Sequence, residues 1–147
     1  MLIDVIIYAI LTMVALRYAA PWLTSGQAAF AVREKNALVM RILAVGLITV
    51  VYMVIAIGMN MASPLLAALV LTVLPKGLAA GIVHALAFAA LDVLALAVTI
   101  KGAAMVMKRT VKAETFFAAS CASLIIIALA TIAQNAVGMA VLSFMAP

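Results

Sequence analysis

Residues 78–100 read LAAGIVHALAFAALDVLALAVTI, a stretch whose only ionisable side chains are His84 and Asp92. An α-helix rises about 1.5 Å per residue, so about 20 apolar residues cross the ~30 Å hydrocarbon layer of a bilayer. This stretch is therefore long enough to span a membrane and too apolar to face water. Working outward, three more runs of the same kind appear, at residues 2–23, 37–59 and 115–144. Of 147 residues, 71% are apolar and 9% charged, against about 25% charged in a soluble domain. A chain this short cannot hide so much apolar surface in a water-facing core. The reading is one all-α transmembrane domain over residues 1–147 with four membrane helices.

Between the spans lie two polar connections, residues 24–36 and 101–114, and one outer segment, residues 60–77. In the outer segment Ser63-Pro64 reads as an N-cap followed by the first helical residue. The apolar residues 64–74 that follow rise only about 15 Å as helix, which predicts a short interfacial or re-entrant helix. Pro75 could also kink it into the third span. The first run has no basic residues ahead of it and carries Asp4, so it reads as a retained span and not as a cleaved signal peptide. Tyr18 and Trp22 at its far end fit an interfacial aromatic anchor, with Arg17 snorkelling beside them. Gln134 and Asn135 are expected where the fourth span leaves the hydrocarbon.

The net charge is +5, and eight of the nine cations belong to the side of the two polar connections. These are Arg17, Arg33, Lys35, Arg41, Lys101, Lys108, Arg109 and Lys112; only Lys76 is on the other side. Cations so divided determine membrane orientation, so nucleic acid is not the expected partner. The positive-inside rule places the basic connections in the cytoplasm and both termini outside it. The same cations could meet anionic lipid headgroups.

Two halves align at an offset of 79 residues: Val32-Arg33-Glu34-Lys35-Asn36-Ala37 with Val111-Lys112-Ala113-Glu114-Thr115-Phe116. With two spans in each, the halves read as parallel repeats about an axis along the membrane normal. This layout resembles the YjfL-type family of small bacterial inner-membrane proteins of unknown function. In that family each repeat enters its second helix through Ile-x-x-Gly-Asn-x-Ala-Ala-Ala-Ile. The first copy here keeps Asn36 and one alanine; the second has Glu114-Thr115 in place of Gly-Asn and keeps Ala118 and Ala119. The resemblance implies a bacterial inner-membrane location and four spans, and it implies no catalytic residue.

Asp92 is the residue with the largest physical demand. An ionised carboxylate inside a span costs about 2.5–3.5 kcal/mol on insertion scales. It needs a proton, a cation such as Arg17 or Arg41, a wet cavity, or a hydroxyl from a neighbouring helix. Thr49, Tyr52, Ser120 and Ser123 are candidates for the last. His84 lies two turns earlier on nearly the same face, about 12 Å away along the axis, so the pair could belong to an ion or proton path. One histidine, one cysteine (Cys121) and four scattered acids do not make a metal site. Cys121 has no partner for an internal disulfide. No catalytic triad, glycine-rich phosphate loop or cofactor motif is present.

Gly77, Gly81, Ala85 and Ala89 repeat at four-residue spacing, a small-residue stripe that allows close helix approach. A second small stripe opens the fourth span, Ala119, Ser123 and Ile127 on one side and Ala118 and Ala122 on the other. These stripes and the lack of a soluble domain point to a non-enzymatic subunit of a membrane assembly, formed with copies of itself or with other membrane chains. The competing expectation is a channel or transporter component that uses Asp92 and His84.

Overall fold

The computed structural model describes residues 2–31, 37–73 and 77–145. The elements run α1 (Leu2–Val14), a π-helical turn (Ala15–Ala19), α2 (Ala20–Leu23), β1 (Ala28–Phe30), α3 (Ala37–Val73), α4 (Leu78–Val106), β2 (Val111–Ala113) and α5 (Phe116–Met145). Four helical segments are long and apolar enough to cross a membrane. The protein is thus a multi-pass, all-α membrane protein. In the bundle α1 packs against α3 and α5, and α4 packs against the same two.

The first span is continuous from α1 to α2 but changes helix type before Pro21. Proline has no N–H to offer the carbonyl four residues back, and its ring would strike that carbonyl, here Arg17. The preceding turn widens instead. The Ala20 N–H donates to the Ala15 carbonyl, the five-residue step of a π-helix.

The second span differs from expectation. Residues 64–73 are not a separate interfacial or re-entrant helix; α3 is one helix of 37 residues with Pro64 inside it, about 55 Å long. Pro64 removes one backbone hydrogen bond, worth about 3 kcal/mol with its ring clash. Ending the helix there would free several N–H and C=O groups instead of one, so the helix continues. The proposed kink at Pro75, together with Lys76, lies outside the described residues. Both α4 and α5 also run past the ends expected from hydropathy alone or meet them within a residue. Thr115 caps α5, its Oγ1 accepting from the Ala118 N–H at 3.1 Å.

The two polar connections form a two-stranded antiparallel sheet, with Ala28 opposite Ala113, Ala29 opposite Lys112 and Phe30 opposite Val111. The ladder continues one step on each side: the Glu114 N–H donates to the Gln27 carbonyl, and the Ala31 N–H to that of Thr110, both at 2.9 Å. Each half of the chain thus runs helix, strand, helix. The pairing ties the halves together at one end of the bundle, called here the sheet end.

The core gathers at that end. Leu16, Ile48, Leu96, Ile100 and Ile126 are almost fully buried, interleaved with Ala44, Ala97, Ala118, Ala119 and Ala122. Alanine lets the four backbones come close, and the larger side chains fill what remains. Beyond Tyr52 on α3 the buried residue is Val70, and on α4 ahead of Leu96 it is Ala80. The outer halves of α3 and α4 meet each other at these two positions and leave most of their surface uncovered.

Candidate functional site

Midway along the bundle three helices converge on one polar cluster. Tyr8 of α1 and Tyr52 of α3 are buried with ring centroids 5.1 Å apart. The Tyr52 hydroxyl donates to Asp92 Oδ1 of α4 at 2.7 Å, and the two phenol oxygens are 3.5 Å apart. A hydroxyl has one proton. The shorter contact takes the proton of Tyr52, which leaves its oxygen to accept from Tyr8. The order is therefore Tyr8 to Tyr52 to Asp92. Of the partners expected for Asp92, the structure selects Tyr52. Ser120 and Ser123 instead donate to the Phe116 and Ala119 carbonyls of their own helix. Thr49, one turn away, is buried with Oγ1 unpartnered.

One turn before Tyr8 on α1, Asp4 Oδ1 accepts from Gln134 Nε2 of α5 at 3.1 Å. Gln134 therefore joins α5 to α1. Sequence reasoning missed both Tyr8 and this contact. Tyrosine in an apolar run carries no distinguishing signal, and Asp4 sits too near the chain start to look buried.

His84 does not join the cluster. It lies about 12 Å along the helix from Asp92, too far for direct contact. It lines a separate apolar cleft with Ala67, Val70, Leu71, Ala80 and Gly81. Its ring stands 6.3 Å from that of Phe88, and Nε2 has no hydrogen-bond partner. Among the described residues no three His, Cys, Asp or Glu side chains come close enough to hold a metal ion.

The stripe Gly77, Gly81, Ala85, Ala89 is not a contact inside the chain. All four residues are exposed, and a Cβ added at Gly77 or Gly81 would meet no atom within 4 Å. Internal packing of α4 uses Ala80, Leu96, Ala97, Ile100 and Ala103 instead. The second stripe, on α5, is internal: Ala118, Ala119, Ala122 and Ser123 are fully buried.

The described basic residues collect at the sheet end. Arg17 lies in the π-turn, its guanidinium 5.1 Å from the Tyr18 ring. Arg41 lies over Phe30 at 5.6 Å. Lys101 Nζ donates to the carbonyls of Ala113 and Glu114, both at 2.6 Å. Lys108 and Arg109 occupy the turn after α4, and Lys112 on β2 pairs with Glu114 at 2.7 Å. Arg33 and Lys35, and with them most of the first copy of the aligned motif, lie outside the described residues.

No protein-family model, curated protein or solved structure matches the chain.

Proposed function

We propose that this protein is a non-enzymatic, self-assembling subunit of a membrane complex, joined to its neighbours through the outer half of α4. One observation carries the reading: the small-residue stripe Gly77–Gly81–Ala85–Ala89 faces outward on a stretch with little internal packing. In lipid, helices gain nothing from hiding apolar groups. They associate where small residues let backbones approach and dispersion contacts accumulate. The length of α3 supports the same reading, because about 55 Å of apolar helix exceeds one hydrocarbon thickness and needs tilt or a partner to cover it. The sheet end is taken as cytoplasmic by its cations. The four-span layout and its likeness to the YjfL-type proteins support a bacterial inner membrane.

The test is the mass of the detergent-extracted particle. The native chain should run as an oligomer, and Gly81→Leu should reduce it towards a monomer with unchanged helicity, since the monomer has room for the side chain. A native monomer, or an oligomer indifferent to Gly77→Leu and Gly81→Leu, removes the reading.

The Tyr8–Tyr52–Asp92 chain favours a second reading, a proton or ion path. Asp92→Asn in proteoliposomes should then abolish flux; flux equal to that of the native chain excludes it.

A further inference from the structure

Two clefts flank the sheet, and they occupy corresponding places in the two halves. One, of about 210 Å³, lies between the last turns of α4 and β2 and is lined by Lys101, Ala104, Lys108, Lys112, Ala113 and Glu114 among others. The other, of about 200 Å³, lies between the π-turn and β1 and is lined by Arg17, Pro21, Ala29, Phe30 and Arg41 with Leu16. Pro21, Ala29 and Phe30 each stand 83 residues before Ala104, Lys112 and Ala113, the offset set by the strand pairing centred on Ala29 and Lys112, which replaces the 79 residues of the sequence alignment. Arg17 stands one residue further from Lys101 than that spacing requires. The π-turn accounts for the difference, because a π-turn accommodates one extra residue in a helix. It brings Arg17 to line the cleft of its half as Lys101 lines the cleft of the other.

We propose that each cleft holds the phosphate of one anionic phospholipid. The first offers Lys101, Lys108 and Lys112 on a concave surface and the second Arg17 beside Arg41, and the one acid among their described lining residues, Glu114, is already paired with Lys112. Lys101 is held in place by two backbone carbonyls and keeps its third N–H for a ligand. Arg17 supplies planar donors that match phosphate oxygens. The surroundings specify a lipid as the source of the phosphate and not a soluble anion. Trp22 is 82% exposed and Tyr18 61% exposed at the same level, where aromatic side chains meet headgroups. Met105, Val106, Ile42 and Phe117 expose apolar surface beside the clefts, along which acyl chains can run. Basic pockets between helix ends are the recurrent form of such sites.

The experiment is native mass spectrometry of the full chain released from vesicles of phosphatidylcholine with one fifth phosphatidylglycerol. Two retained phosphatidylglycerol molecules per chain are expected, with phosphatidylcholine lost. Arg17→Gln should remove one, Lys101→Gln the other, and the double variant both. Lys101 also bonds the backbone, so Lys108→Gln with Lys112→Gln provides a second variant of that cleft that leaves this anchor intact. Equal retention of the two lipids overturns the proposal, as does retention of both phosphatidylglycerols by the variants. Displacement of the lipid by millimolar inorganic phosphate also overturns it, in favour of a soluble-anion site.

Discussion

Removing the hydroxyl of Tyr52 tests whether Asp92 is held by a specific interhelical bond. Tyr52→Phe keeps the ring, so its packing 5.1 Å from Tyr8 survives and no cavity opens. What is lost is the 2.7 Å donor to Asp92 and the acceptor for Tyr8. Interhelical hydrogen bonds in membranes average about 0.6 kcal/mol and reach about 1.7; bonds to charged groups are worth about 1.5–3. Asp92 is only half-buried, so the lower part of the charged range applies, and Tyr52→Phe should cost about 1.5 kcal/mol, a factor of ten in the unfolding equilibrium. Tyr8→Phe, whose contact is at the 3.5 Å limit, should cost less than about 0.5 kcal/mol on the same scale. Asp92→Asn keeps a carbonyl acceptor and should be milder than Asp92→Ala. The assay is reversible unfolding by steric trapping in bicelles, with Tyr52→Phe measured in the native and Asp92→Ala backgrounds. The coupling should be about 1 kcal/mol. A coupling under about 0.3 kcal/mol, or Tyr8→Phe as costly as Tyr52→Phe, would refute the assigned proton order.

Three further outcomes follow from the packing. Ala119→Leu, at a fully buried position on α5, should destabilise the fold by about 1–3 kcal/mol through overpacking, whereas Gly81→Leu should leave the same unfolding curve unchanged in a monomeric micelle preparation. Pro64→Ala restores a donor for the Asn60 carbonyl inside a continuous helix, so stability should rise by up to about 3 kcal/mol; no gain would indicate that α3 is broken there. Cysteines at Ala29 and Lys112, opposite each other in the ladder, should close an intrachain disulfide on oxidation in a Cys121→Ala background, because facing Cα atoms in such a ladder are about 4.5–5.5 Å apart. Pairing of cysteines at Ala29 and Val111 in preference would place the register elsewhere.

The membrane helices were legible because hydropathy acts on the length scale of a whole span, which local detail does not disturb. Asp92 was legible for a related reason: a carboxylate in hydrocarbon must have a partner. Which partner it has depends on helix rotation, and four side chains satisfied the sequence argument equally until the Tyr52 ring was placed against α4. The strands were not legible at all. Ala28–Phe30 and Val111–Ala113 are three residues each, and alanine is a poor strand former; they pair because the helices hold the two connections side by side. Pro21 and Pro64 show opposite errors of one rule. Pro21 reads as the close of a helix but leaves its mark one turn earlier, in the π-turn. Ser63-Pro64 reads as a helix start under rules drawn from water, where a broken backbone can be solvated.

The two small-residue stripes separate what such a pattern can and cannot establish. Both permit close approach, yet Ala118–Ala119–Ala122–Ser123 is buried and Gly77–Gly81–Ala85–Ala89 is exposed. The difference lies in position along the bundle. The α5 stripe sits within two turns of the sheet, where it packs into the core with Ala44, Ala97, Leu96 and Ile100. The α4 stripe sits at the far end, where Gly77 and Gly81 border a cleft with Ala67, Val70 and Leu71 of α3 and all four stripe residues stay exposed. The bundle is closed at one end by hydrogen-bonded strands and exposes the apolar surface of the outer halves of α3 and α4 at the other. Lipid can cover that surface, but the four-residue spacing of small side chains gives a second helix a closer fit than mobile acyl chains achieve. The proposed assembly at the outer end and the proposed lipid phosphates at the basic end would divide the molecule between them, each at a place where described side chains leave a surface exposed.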